Sequence, residues 1–330
     1  MSAATVALFR ARLERRAAGL AGDLRSAILK AYDLLASNLT DAELTGLIET
    51  GNLDAIVTDA DARLALRTLQ TRIRDGVESA AKAMLREGFP GVAFDTLSPS
   101  VIQGIQTLND RALQTLSTEV RETVRHVVEQ GLRDGVGVRT IARNLRDVIG
   151  LAPNQTDAVA NFRRMLEEGD AEALTRQLRD RRFDGTLRRA FAGDGLGPKQ
   201  IDSMVSAYQR RFVAFNAETN ARTVAMDAQK LGQHLAYADA VSRGDMNGAT
   251  LTKRWSGTLD DRERDTHLAM EGETVPWDAY YSNGQMQPGD GEYNCRCVSI
   301  YSTIETIKPG AGAFGAFENL QAYAGARTRT

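Results

Sequence analysis

Four long stretches of this chain repeat apolar side chains every third or fourth residue, and few helix-stopping residues interrupt them. That period puts the apolar positions on one side of a helix and the charges on the other. From Val6 to Leu35 the stripe is Phe9, Leu13, Leu20, Leu24, Ala27 and Leu34. A second begins after Thr58, read as its cap, and carries Leu66, Leu69, Ile73, Val77, Ala80 and Met84 to about Gly88. The third runs from Pro99 to about Arg133 with Ile102, Ile105, Leu108, Ala112, Leu116, Val120, Val124 and Val127, the alternating spacing that bundle packing requires. The fourth opens at Pro198 and continues to about Arg243.

Shorter helices fill the intervals. Thr40 and Glu43 form a capping box for a helix to about Glu49. Val138 to Val148 is amphipathic, Pro153 is read as a break, and helices are expected over Thr156–Glu168 and Asp170–Arg182. A content of 42% hydrophobic and 25% charged residues is that of a soluble globular chain. With aromatics at only 6%, helix is favoured over sheet.

Beyond Gly244–Gly248 the pattern changes. Leu251 to Thr258 alternates and reads as a strand. Asp260 is expected to cap a short charged helix to about Met270. Gly272 turns the chain into Thr274-Val275, and Cys297 to Thr303 reads as a closing strand. The stretch after Lys308, rich in Gly and Ala, is expected to be flexible. The fold class is therefore mainly α, a long-helix N-terminal region with a small α+β C-terminal module. The expected divisions are 1–95, 96–248, 249–306 and the tail 307–330.

A net charge of −2 gives no overall field that would attract nucleic acid or anionic lipid. All but six of the 41 basic residues are arginine, a type suited to phosphates and interfaces, though nucleotide-composition bias yields the same excess. The densest window contains Arg179, Arg181, Arg182, Arg188 and Arg189, a candidate for non-specific DNA contact or a solvated face. No apolar run of about 18 residues suggests a membrane span. Arg10, Arg12, Arg15 and Arg16 break up Met1–Leu20, which reads as neither a signal peptide nor a spanning helix. Cys295 and Cys297 are the only cysteines, too close in sequence for an unstrained bridge, which suits a reducing compartment.

Chemistry is concentrated in the C-terminal module, with both cysteines, both tryptophans and His267. His267, Cys295 and Cys297 supply the donor types zinc prefers, and Asp260, Glu263 or Asp290 offers a fourth. The single-residue spacing of the cysteines departs from the usual two to four, and a small packed core fits the same residues. A Cys–His nucleophile pair would further need an orienting group and an oxyanion hole, and no motif marks either. The acids Asp260, Asp261, Glu263 and Asp265, interleaved with Arg262 and Arg264, read as a solvated face with caps and salt bridges. Glu218 and Arg222 are spaced for a helical ion pair. His126 and His234 have no ligand partner at helical spacing. Walker, dinucleotide and His-Glu-x-x-His patterns are absent.

The run Lys253-Arg254-Trp255-Ser256-Gly257-Thr258-Leu259-Asp260-Asp261-Arg262-Glu263-Arg264-Asp265-Thr266-His267, then Gly272 and Val275, then Pro288 and Asn294-Cys295-Arg296-Cys297, resembles the C-terminal signature of the phage Mu F-like minor head proteins. The helix Glu218-Thr219-Asn220-Ala221-Arg222-Thr223 resembles the one preceding that signature. There this chain has Thr223-Val224-Ala225 where members often carry Thr-Glu-Thr. The likeness spans roughly residues 190–305. It implies a structural, non-enzymatic virion protein of low copy at the capsid interior or portal vertex, present in the host cytoplasm during assembly and acting in head assembly or genome packaging and delivery. The implied partners are the portal protein, major capsid or scaffold proteins and packaged DNA. Trp255, Asp260, Arg262, Arg264, His267, Gly272, Asn294, Cys295 and Cys297 are the signature residues, with no cofactor expected beyond zinc at His267, Cys295 and Cys297. No appended toxin or enzyme domain is expected in the short stretch after the signature. The competing expectation is a metal-dependent hydrolase or nuclease centred on those three residues.

Overall fold

The computed structural model describes residues 3–58, 60–88 and 92–303, with side chains over 5–55, 66–87 and 92–303. The side chain of Thr58, expected as a cap, and the expected tail lie outside these residues. The chain is mainly α, 71% helical, with nine α-helices and one small sheet among the described residues.

The periodic stretches fold as α1 (Ala3–Asn38), α3 (Ala60–Gly88), α4 (Pro99–Arg133) and α8 (Pro198–Ser242). Their stripes are buried with small shifts in register. In α4 the buried positions are Val101 and Val128, while Ile102 is exposed and Val127 only half-buried. Adjacent apolar residues at a stripe edge leave that choice to tertiary packing. The capping box forms as expected at α2 (Asp41–Thr50), where the Glu43 amide donates to Thr40 Oγ1 and the Glu43 carboxylate receives the Thr40 amide. α5 spans Val138–Val148, α7 Asp184–Arg189 and α9 Asp265–Leu268.

Three expectations are corrected. Pro153 does not break a helix but opens α6 (Pro153–Glu168) at its first turn, where a missing N–H costs nothing. Asp170–Arg182 is not a continuous helix. Asp170 and Asp180 each accept the amide two residues on, from Glu172 and Arg182, and these local bonds replace helix with single 3₁₀ turns. Likewise Asp260 accepts the Arg262 amide at 3.2 Å, so the chain turns there and α9 begins only at Asp265. Glu218 meets Arg25 at 3.4 Å rather than Arg222, and His126 lies 2.8 Å from Asp157.

Two compact units make up the chain, and neither is a consecutive block. One comprises 22–72 and 110–221. Its core gathers Phe162, Met165, Leu187, Met204 and Tyr208, with the Phe162 and Tyr208 rings 4.3 Å apart. The other comprises 1–21, 73–109 and 222–330. Its sheet has the order β2-β1-β3, all antiparallel, from β1 (Leu251–Ser256), β2 (Thr274–Pro276) and β3 (Val298–Thr303).

In this second unit α8 is buried nearly all round from Ala225 to Ala240. Small residues let its neighbours approach. A Cβ added at Gly232 would lie 2.4 Å from the Val77 carbonyl oxygen and 2.7 Å from the Ala80 Cβ. On another face α8 seats the sheet. Gln233 donates to the Ser299 carbonyl at 3.2 Å, His234 Nδ1 lies 2.9 Å from the Tyr301 hydroxyl, and Tyr237 stacks on Tyr301 at 4.2 Å. Burial, reinforced by the Lys253 charge, holds the His234 pKa down to about 4.

Glycine to alanine inside a helix ordinarily stabilises by up to ~1 kcal/mol. At Gly232 the sign is expected to reverse, with Gly232→Ala destabilising by about 1–3 kcal/mol in denaturant unfolding because backbone must move. An acid dependence also follows. Between pH 6.5 and 4 the unfolded chain protonates His234 and the folded chain does not, so stability is full above that window and falls on acidification. Between pH 7 and 5 wild type is expected to lose about 2 kcal/mol more than His234→Gln, measured by unfolding at each pH.

Candidate functional site

The segment Cys295-Arg296-Cys297 is irregular chain that leads directly into β3. Both thiols meet His267, while the guanidinium between them goes to a different partner. Arg296 makes a bidentate pair with Asp260, at 2.8 and 2.7 Å. Among the described residues the thiols meet His267 alone as a third donor, and the three donor atoms lie within 4.8 Å of one another. His267 Nδ1 is 3.6 Å from Cys295 Sγ and 3.4 Å from Cys297 Sγ. All three residues are at most 5% exposed.

The cluster is braced on every side. His267 Nε2 lies 2.8 Å from the Glu292 carboxylate, and Arg264 holds that loop by donating to the Tyr293 carbonyl at 2.7 Å. Trp255, fully buried on β1, sets its ring edge-on to His267 at 5.4 Å and to Tyr281 at 5.2 Å. Glu263 comes within 3.2 Å of Cys297 Sγ. Asp260, also considered as a fourth ligand, is instead taken up by Arg296, which holds its carboxyl far below the usual range. The Cys297 thiol donating toward Cys295, helped by the nearby Lys230 charge, favours the Cys295 thiolate, and the same contact with burial keeps Cys297 protonated.

Two glycines make the space. A Cβ at Gly257 would fall 1.9 Å from a Glu263 carboxylate oxygen, and one at Gly289 would fall 2.1 Å from Cys295 Sγ. Gly289 also has a positive φ of 70°. From α8, Lys230 Nζ donates to the Pro288 carbonyl at 2.7 Å and approaches the Cys295 carbonyl at 3.4 Å. The Asn294 amide donates to Thr223 Oγ1 at 3.0 Å, so the threonine that follows Arg222 fastens the signature loop to its helix.

Other expected residues stand apart from this cluster. Gly272, at φ 85°, turns the chain between α9 and β2, its amide donating to the Trp255 carbonyl at 3.1 Å. Arg262 is largely exposed and reaches only Asp260, at 3.3 Å. In the arginine window Arg179 is locked to Asp184 by two bonds of 2.9 Å and Arg182 pairs with Asp180 at 2.6 Å, while Arg181, Arg188 and Arg189 are exposed. Glu292, Lys230, Gly257 and Gly289 were not singled out from the sequence. The run Pro288-Gly289-Asp290-Gly291, rich in turn-forming residues, is the one sequence signal near Gly289 and Glu292.

The interlocked set (Trp255, Asp260, Arg264, His267, Asn294, Cys295, Cys297) is the signature that resembled the phage head proteins. The sequence model described as Phage Mu protein F like protein matches residues 122–300, more than half of the chain. The chain belongs to the Phage Mu F-like family. Comparison with curated proteins and with solved structures found no match. The Mu F-like region begins well before the signature, inside α4, and takes in α5, α6 and α7. Membership makes this a phage head protein of a structural, virion-associated family. Among the described residues no helix is long and apolar enough to cross a membrane.

Gly284 supplies an internal control for the cradle, since it too has a positive φ, of 80°, with nothing near its Cβ position. Gly284→Ala is expected to cost only backbone strain, about 1–2 kcal/mol. Gly289→Ala is expected to cost at least about 1 kcal/mol more, because it also displaces a buried thiol. Equal losses in parallel unfolding curves would mean the thiol is not confined there.

Proposed function

We propose that this Mu F-like chain is a minor head protein, present in few copies per particle, that acts in head assembly and in packaging or delivery of the genome from a position at the portal vertex or the capsid interior. Its long helices are the docking surfaces for the portal and for major capsid or scaffold proteins. Its C-terminal module is a folded plug that does not turn over a substrate. Arg181, Arg188 and Arg189, exposed and outside the pairs that occupy Arg179 and Arg182, contact packaged DNA through phosphates without reading sequence.

One observation carries this reading: the family's signature residues are spent on one another. Asp260 binds Arg296, Arg264 reaches the Glu292–Tyr293 turn, and His267 faces both thiols in the module's interior. The competing hydrolase or nuclease would need a substrate to reach that centre. Burial of all three donors speaks against it, as does a pair of thiols placed almost equally from a single imidazole nitrogen.

Quantitative mass spectrometry of purified particles is the direct test. The chain is expected in the virion at a ratio close to the portal protein and far below the major capsid protein, and loss of its gene is expected to yield heads that are misassembled or non-infectious. Particles that lack the chain yet infect normally would contradict the proposal.

A further inference from the structure

We infer that the C-terminal module is a zinc-binding fold in which His267 Nδ1, Cys295 Sγ and Cys297 Sγ are three ligands and the Glu263 carboxylate, moving inward from beside Cys297, closes the fourth position. This inference concerns how the module is held together, and it stands or falls independently of where the chain sits in the particle.

The first support is distance. In a tetrahedral zinc site with bonds of about 2.05 Å to nitrogen and 2.3 Å to sulfur, adjacent N and S ligands lie about 3.6 Å apart. The imidazole nitrogen lies 3.6 and 3.4 Å from the two sulfurs. A hydrogen-bonded core would need only one thiol at that nitrogen; two thiols converging on it is the arrangement a shared cation requires.

The second support is the far side of the imidazole. A metal-bound histidine usually gives its other N–H to a carboxylate, which fixes the tautomer and raises ligand basicity. The Glu292 carboxylate lies 2.8 Å from Nε2, an ion-pair contact not aligned as a hydrogen bond, and is itself approached by Arg264 at 3.4 Å and by the Gln285 amide at 2.7 Å.

The third is the fourth corner. Glu263 lies 3.2 Å from Cys297 Sγ, with Gly257 leaving room for its carboxylate, and it stands just outside the three-donor cluster as the nearest carboxylate able to move onto an ion. Two carboxylates and two sulfurs around one buried imidazole form an electron-rich set whose charge a divalent cation would balance. The short Cys-Arg-Cys spacing, unusual for zinc, is accommodated because both sulfurs converge on His267 while Arg296 is drawn away to Asp260.

The test uses the full chain purified under reducing conditions. Elemental analysis is expected to give one zinc per chain. Replacement by cobalt is expected to give tetrahedral ligand-field absorption with thiolate-to-cobalt charge transfer. Cys295→Ser and Cys297→Ser are each expected to abolish the charge-transfer intensity or weaken uptake sharply, and Glu292→Gln to weaken affinity about 10- to 100-fold with the spectrum retained. Glu263→Gln is expected to shift the ligand-field bands; an unchanged spectrum would remove Glu263 from the site and overturn the closed fourth position. Variants that do not fold are set aside by circular dichroism, and the wild-type cobalt titration then decides alone. Folded wild-type protein that takes up neither metal, or takes it up without thiolate charge transfer, would overturn the site.

Discussion

The architecture of the C-terminal module depends on three consecutive residues, Cys295-Arg296-Cys297. This one short segment serves two different partners, Asp260 through its guanidinium and His267 through its thiols. The Asp260 contact fixes the turn before α9, and α9 carries His267. The imidazole then reaches Glu292 on the return loop, which leads back to the same three residues. The loop of contacts is closed, so each member is positioned by the next, and removal of any one leaves buried polar groups unpaired.

This closed loop is anchored to helix rather than to sheet. A sheet of three strands this short is steadied by packing against a helix. α8 provides the floor, with Thr223, Lys230, Gln233, His234 and Tyr237 all touching the module. Their spacing of seven, three, one and three residues keeps them along one side of the helix. Lys230 and Lys253 are both buried amines on backbone carbonyls, with Lys253 also lying 5.1 Å from the Tyr281 ring centre and its pKa lowered by burial to about 8. Buried lysines tied to loop carbonyls fasten irregular chain where no strand could.

Much of the fold was legible because it is periodic. The four long helices, the Thr40–Glu43 capping box and the two longer strands follow from spacing and cap chemistry to within a few residues. What failed was local competition. Asp170, Asp180 and Asp260 prefer to bond the amide two residues on, and a helical pattern drawn through them does not see that alternative. Pro153 is ambiguous by nature, since the residue that ends one helix can start the next. At the site, the thiols, His267 and Trp255 were visible as rare residue types crowded into one segment. Glu292, Lys230 and Gly289 were not, because nothing in a linear pattern says which of many acids, amines or turn glycines will meet a thiol across 58 or more residues of separation or through a loop. Those contacts are set by how the sheet lies on α8.

The central claim is that the two thiols lie in a closed interior that opens only when the module unfolds. Alkylation of Cys295 and Cys297, followed by peptide mass spectrometry under native conditions, tests it most directly. The account predicts that both react slowly, together, and at the rate at which the module opens. A single thiol that reacts rapidly in the folded chain, while its neighbour stays protected, would mark an accessible nucleophile and contradict it.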